Sequence, residues 1–430
     1  MRRCTVLIAL LLIAGLASGQ TKWELEKAFT FGTVLSGSGI HGIAVDPEGK
    51  IWVAPFSRTE PVGDGTNTVC LYAMWPNGTP ASFSPIKFLV GPGFTDTLKG
   101  SGCRGISVDK DGNIVGTWAT TMYRIDYKTG AALNKVIPEA KSQTQPVCDT
   151  DNGYIYVGTV LSGSPIRIYN PDFSLLGNAV DNIGVIVRSY GVSTNGQNLY
   201  QGDLSTRKCA VYHSDFPGLL SHTLTDSIMV GGAPSAFGWQ PGTGWLWMDA
   251  GNPTNEIPLP PWTPLMHYAF DVTTKQVKDS LMIDTLKAQF LPPHVAYNCR
   301  GRGIAFSASG DTAWVAIFNV DTNHVQMFVK RPVSVEPTKD AVPITYRLSQ
   351  NYPNPFNPST EIEFAIPVSG RTTLVVYDLL GKAVATLVDE QLGAGSYKTR
   401  FDASRLSSGT YVYMLTSGTT RIVKKMMLIK

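Results

Sequence analysis

The chain has 430 residues, enough for two or three domains, and with 43% hydrophobic and 16% charged residues it is globular and rich in buried surface, not disordered. The formal net charge is +3, or +1 once Arg2 and Arg3 leave with the N-terminal segment. Whole-protein charge therefore gives no argument for nucleic acid or an anionic membrane as partner.

The first element is a targeting segment. MRRCTVLIALLLIAGLASGQ sets Arg2 and Arg3 before an apolar run from Val6 to Leu16, then the small residues Ala17, Ser18 and Gly19. This is the pattern of a secretory signal peptide over residues 1–19. The apolar run of about 11 residues is too short for the roughly 20 that a spanning helix needs. No later segment is long and apolar enough either, so no transmembrane segment is expected in the mature protein. Export permits disulfides, yet the five remaining cysteines (Cys70, Cys103, Cys148, Cys209, Cys299) are odd in number and lack CxxC spacing. Buried free thiols are expected.

From residue 20 to 332 one unit recurs. HGIAVDPEGKIWVA starts at His41, RGISVDKDGNIVGTW at Arg104, PVCDTDNGYIYVGTV at Pro146, YGVSTNGQNLYQGDL at Tyr190, FGWQPGTGWLWMDA at Phe237 and RGIAFSASGDTAWVAIF at Arg302. Each reads as an apolar strand, a tight turn of Asp, Asn and Gly, and a second apolar strand. The turn residues supply the positive backbone φ that such hairpins need. The spacing of roughly 42 to 66 residues suits four-stranded blades of roughly 40–50 with the excess in loops. Third strands such as VCLYAMWP and MYRIDYKTG follow, then outer strands such as IKFLV or SLLGNA. The sixth unit lacks an outer strand of its own, and WELEKAFTF from Trp23 is free to supply it. Closure in this way hides both edges. The expected fold is all-β: a six-bladed β-propeller over residues 20–332, with a seven-bladed ring or an open sandwich as alternatives. The units GIAVDPEGKIWV and GISVDKDGNIV resemble the broad superfamily of NHL-type, YVTN-type and streptogramin-lyase-like propellers. That resemblance implies the fold and leaves the function open, since lactonases, lyases, sensors and protein-binding platforms share it.

Four long stretches (55–68, 91–102, 251–264 and 284–298) fall on the face where inner strands begin, and long loops on a rigid scaffold commonly carry function. The residues heading the inner strands are His41, Arg104, Gln145, Tyr190 and Arg302, with Arg188 and Arg300 close by. Arginine forks suit carboxylate or phosphate, and Trp262, Phe290 and Tyr297 offer stacking faces. Pairing of these arginines with Asp46, Asp109 or backbone carbonyls is the competing reading. No GxSxG elbow and no HExxH is present. His41, His213, His222, His267, His294 and His324 are scattered, and the DPEG and DKDG turns lack EF-hand spacing. No metal and no cofactor are expected.

Residues 333–348 are punctuated by proline and read as a linker. Beyond them TEIEFAIP, TTLVVYDLLG, KAVATLVDEQL, GSYKTRFDA, GTYVYMLTSG and RIVKKMMLIK alternate as strands of a small Ig-like β-sandwich over residues 349–430. In NYPNPFNPST, Asn351, Asn354 and Asn357 are placed to cap turns between stiffening prolines. Residues 346–430 closely resemble the C-terminal sorting domain of the type IX secretion system. Carrying the resemblance are Asn351, Pro353, Pro355, Asn357 and Pro358, then Tyr377, Asp378, Gly381 and Lys382 of VYDLLGK, Gly409 and Tyr411 of LSSGTYVYML, and the basic KKMMLIK end. It implies Sec export, passage through the outer membrane by the type IX secretion machinery, and a secreted or cell-surface product, with any cleavage of the tail falling in 333–348. The expected function is a binding platform for a glycan or surface protein. The alternative is an extracellular lactonase- or lyase-like enzyme with His41 as base and Arg104 and Arg302 holding an anion.

Overall fold

A computed structural model describes residues 21–31, 39–56, 59–63, 66–98, 103–185, 187, 189–203, 208–215, 221–230, 234–250, 265–283, 300–318, 324–332, 336–338, 345–404 and 406–430. The expected signal peptide, and Trp262, Phe290, Tyr297, Arg188, His294 and Cys299, lie outside them. The described residues contain strands and turns and no helix, in agreement with the all-β expectation. Leu25–Val329 form one unit, and Lys330–Lys430 belong to a second.

Six sheets carry the first unit. Sheet I joins Ile40–Val45, Ile51–Pro55 and Tyr72–Met74. Sheet II joins Cys103–Val108, Ile114–Trp118, Thr121–Ile125 and Ala132–Val136. Sheet III joins Val147–Cys148, Ile155–Gly158, Ser164–Tyr169 and Leu175–Ile183. Sheet IV joins Tyr190–Val192, Asn198–Asp203, Lys208–His213 and Thr223–Met229. Sheet V joins Phe237–Gln240, Trp245–Asp249, Met266–Asp271 and Gln276–Met282. Sheet VI joins Arg300–Phe306, Thr312–Phe318, Val325–Pro332 and, outermost, Thr21–Phe29. The N-terminal strand thus sits where the sequence left a place for it.

Hairpin chemistry explains why each sheet starts as it does. Asp46 follows the first strand of sheet I. Its Oδ1 accepts the backbone N–H groups of Glu48 and Lys50 (3.0 and 2.9 Å), and its Oδ2 accepts Trp52 Nε1–H (2.8 Å). Asp109 holds the turn of sheet II in the same way through Asp111 and Asn113. Gly49 closes the first turn at φ 86°, a conformation that a Cβ disfavours.

Each sheet packs its apolar face on the next. Trp52 and Ala73 of sheet I meet Ile106 and Ile114 of sheet II. Val115 and Met122 meet Ile155 and Val157 of sheet III, and Tyr156 and Ile168 meet Tyr190 and Leu199 of sheet IV. Tyr200 and Cys209 meet Leu246 and Met248 of sheet V. Trp247 of sheet V packs on Phe306 of sheet VI with ring centroids 5.6 Å apart. Sheet VI returns to sheet I, with Phe29, Trp314 and Val325 against Ile43, Val53 and Tyr72. The first strands touch in the same cyclic order. A glycine after the head residue lets them approach: a Cβ on Gly303 would lie 2.8 Å from Ile43 Cγ2, and one on Gly238 2.4 Å from Ile304 O.

Two expectations are corrected. IKFLV is not the outer strand of the first sheet: Phe88–Gly91 pairs with Phe94–Thr97 in a separate hairpin. The Met74–Pro80 and Leu71–Ile86 bridges, with the bonds of Ala73 to Ala81 and Ser84, hold chain along Tyr72–Met74 without a regular fourth strand. Nor is 55–68 irregular throughout, because Thr59–Pro61 pairs with Asn67–Val69. Strand alternation in these segments was legible, but an alternating strand does not specify its partner.

The second unit has two four-stranded antiparallel sheets. One orders Glu336–Thr338, Gly395–Asp402, Ser359–Ile366 and Arg347–Leu348; the other orders Ala383–Leu392, Gly370–Tyr377, Gly409–Ser417 and Thr420–Leu428. Ile362, Phe364 and Ile366 face Leu374, Val376, Tyr413 and Leu415 in a shared core, as period-two alternation dictates. Two short strands of this sandwich, Glu336–Thr338 and Arg347–Leu348, come from within the stretch 333–348 that reads as linker.

Candidate functional site

At the end of sheets VI, I and II where their first strands begin, five side chains form one cluster, in which the Phe56 and Phe318 rings also meet edge to face (centroids 6.4 Å). His41, second residue of its strand and 4% exposed, lies against Phe56 (centroids 4.4 Å, planes 22° apart) and against Phe318 (4.7 Å, 50°). Arg104 sets its guanidinium 4.9 Å over the Phe56 ring, and Arg302 sets its own 4.9 Å over Phe318. The cluster is therefore Arg104, Phe56, His41, Phe318 and Arg302. Phe56 and Phe318 each follow or end the second strand of their sheet, and the Gly39–Phe318 bridge and the Phe56 N–H bond to Gly39 O (3.0 Å) tie those ends together. Each cation–π contact contributes roughly 0.5–2 kcal/mol. A guanidinium held against a ring keeps the fork of N–H donors that suits carboxylate or phosphate.

The other expected residues fare differently. Gln145 packs into the space that a side chain on Gly105 would fill and donates Nε2–H to Ile106 O (3.1 Å). It serves as a wedge between sheets II and III. Tyr190 is 1% exposed, and burial pushes its phenol well up from the ordinary value; it belongs to the core between sheets III and IV. Arg300 lies in a strand, with its side chain outside the described set, and Arg188 and Trp262 are outside altogether. Of the partners named for these arginines, Asp46 binds Lys50 (3.1 Å) and Asp109 binds Arg124 (2.8 Å). Among the described residues no group of three His, Cys, Asp or Glu converges as for a metal. Cys70, Cys103, Cys148 and Cys209 are free and buried, and burial pushes the Cys103 and Cys148 thiols up to about 12.

Phe56 and Phe318 were missed. A signal for them stood in the sequence: IWVAPF (51–56) and AWVAIF (313–318) are the same pattern in the first and sixth units.

In the sandwich, the Asn351 side chain is buried and donates Nδ2–H to Pro353 O and Thr360 Oγ1, both at 3.0 Å, while its backbone N–H meets Tyr413 Oη (2.9 Å). Asn354 does not cap a neighbouring turn; its Oδ1 accepts Met427 N–H from the last strand (2.9 Å). Phe356, 2% exposed, continues that pairing by donating to Met427 O and accepting from Ile429 N–H. Pro358 O accepts Ala403 N–H (2.8 Å), whereas Pro355 and Asn357 are exposed. The proline-rich run is thus an edge cover for the C-terminal strand. Asp378 caps Leu380 and Lys382 with Gly381 at φ 80°, making the turn that follows Tyr377, and Tyr411 Oη binds Ser407 O. Gly409 opens the strand that carries Tyr411.

No helix among the described residues is long and apolar enough to cross a membrane. No curated protein matches the chain. Residues 350–430, the sandwich locked by Asn351 and Phe356, match the family described as the secretion system C-terminal sorting domain, so the chain ends in a type IX sorting tail that directs it to the cell surface or to secretion.

Proposed function

We propose that the protein is an exported binding platform: a six-bladed β-propeller over residues 20–332, closed by the N-terminal strand, that takes a carboxylate-bearing glycan where its inner strands begin. The cyclic packing of six sheets and the outer position of Thr21–Phe29 in sheet VI support the ring, and the units resemble NHL-type, YVTN-type and streptogramin-lyase-like repeats. The observation that carries the ligand reading is the cluster of Arg104, Phe56, His41, Phe318 and Arg302. The sorting tail supplies the context, since a surface or secreted protein meets glycans and other surface proteins. A signal peptide over 1–19 and use of 333–348 as the cleavage region belong to the same proposal. The enzyme alternative asks His41 to reach a substrate as a base. Its ring, 4% exposed, packs against both Phe56 and Phe318, which also touch each other (centroids 6.4 Å, planes 70° apart), and this favours a packing role in an aromatic cluster.

A thermal-shift comparison tests this. A uronic-acid oligosaccharide should raise the melting temperature by mass action, its carboxyl-reduced counterpart should not, and Arg104→Ala with Arg302→Ala should weaken the acidic ligand at least roughly tenfold, about 1.4 kcal/mol. Equal stabilisation by the neutral sugar, or an unchanged response of the double variant, would sink the proposal.

A further inference from the structure

The irregular outer edge of sheet I leaves a cavity. After Tyr72–Met74 the chain returns along that strand without forming a regular ladder, held by the Pro80 and Ile86 bridges and by bonds of Ala73 to Ala81 N–H and Ser84 Oγ. Between this return, the Thr59–Pro61 strand and the end of the N-terminal strand lies a space of about 550 Å³, within the roughly 300–1,000 Å³ typical of ligand pockets. Phe29, Phe31, Tyr72 and Met74 form much of its wall, and Glu60 is the one charged side chain among the residues lining it. Tyr72 donates its hydroxyl to Glu60 Oε1 (2.8 Å), which sets the carboxylate beside the phenol ring. Phe31 lies tilted against Tyr72 with centroids 5.2 Å apart and planes at 55°. The adjoining ring already attracts an ammonium of this chain: Lys27 Nζ stands 5.3 Å over the Phe29 centroid.

We propose that this cavity is a second binding site, for a compact organic cation carrying a primary or quaternary ammonium on a short apolar body. Aromatic faces present negative quadrupoles, the Glu60 carboxylate adds a full charge, and the apolar wall accepts methyl or methylene groups. Among the described residues lining the space Glu60 is the one charged side chain, which favours a cation over an anion. The site is separate from the arginine cluster, and either stands if the other fails.

Isothermal titration of the full exported chain with choline, and with its uncharged isostere 3,3-dimethylbutan-1-ol, tests the proposal. Choline should bind at least roughly tenfold tighter than the isostere, and Glu60→Gln should lower choline affinity at least roughly tenfold. Phe31→Leu, which keeps an apolar wall and removes the π face, should also weaken choline while leaving the isostere unchanged. Absence of choline binding, equal binding of the isostere to the native chain, or unaltered choline affinity in a folded Glu60→Gln variant would each overturn it.

Discussion

The imidazole of His267 lies 1% exposed in sheet V, against Gly301 of sheet VI, where a built Cβ would sit 2.2 Å from its Nε2. Neither ring nitrogen has a hydrogen-bond partner among the described residues, and burial pulls its pKa down to about 3. An unfolded histidine takes a proton near 6.5. Between those values the unfolded chain binds a proton that the folded chain refuses. Stability is therefore complete well above pH 6.5 and falls as pH drops toward 3, approaching about 1.4 kcal/mol for each pH unit. Urea unfolding at pH 7, 6 and 5 should show the native chain losing stability relative to His267→Met. Parallel pH profiles for the two would show that His267 does not carry this dependence. Nothing in YAF or MHY marks this histidine as buried. At the residue scale the sequence made His41, Arg104 and Arg302 legible as strand heads, but not the rings between them. IWVAPF and AWVAIF each look like a core strand with an aromatic end, and the meeting of the two ends depends on sheets I and VI packing together.

Among the elements, the first strands owe their close approach to glycines that have no turn to make. Gly238 is the tightest case, since a Cβ there meets the backbone oxygen of Ile304 at 2.4 Å, and a backbone atom cannot swing aside. Gly238→Ala should force sheets V and VI apart and destabilise by about 1–3 kcal/mol or more, read as a lower urea midpoint. A midpoint within about 0.5 kcal/mol of the native chain, the scatter of neutral surface changes, would mean that the two strands separate freely. The recurring head-residue-then-glycine pattern was visible in the sequence as a repeat, and the hairpin turns with Asp46 and Asp109 were read correctly because their chemistry is local. The Phe88–Gly91 strand was placed in the wrong sheet for the opposite reason: its alternation is the same whether it pairs with Tyr72–Met74 or with Phe94–Thr97.

For the molecule as a whole, the two units divide the work. The sandwich has its own core, from Phe356 and Phe364 to Tyr413 and Met426, and the family match places export in it. A fusion of residues 333–430 to a Sec-exported reporter should carry that reporter to the surface or medium of a host with type IX secretion. The fusion must begin ahead of Glu336, because Glu336–Thr338 completes one sheet of the sandwich. A reporter retained in the periplasm would contradict autonomous sorting by this tail.

By itself the sequence determined what depends on neighbouring residues: strand alternation, Asp- and Gly-bearing turns, and the ordered NYPNPFNPST, VYDLLGK and LSSGTYVYML motifs of the sorting tail. These are short-range because side-chain period and turn φ are properties of a few consecutive residues. Only the tertiary structure decided that Phe56 and Phe318 join His41, Arg104 and Arg302 in one cluster. It likewise decided that an irregular edge beside Tyr72 leaves a cavity lined by Glu60. Those outcomes join residues far apart in the chain. The total fit of packed faces selects them, and no single segment encodes that fit.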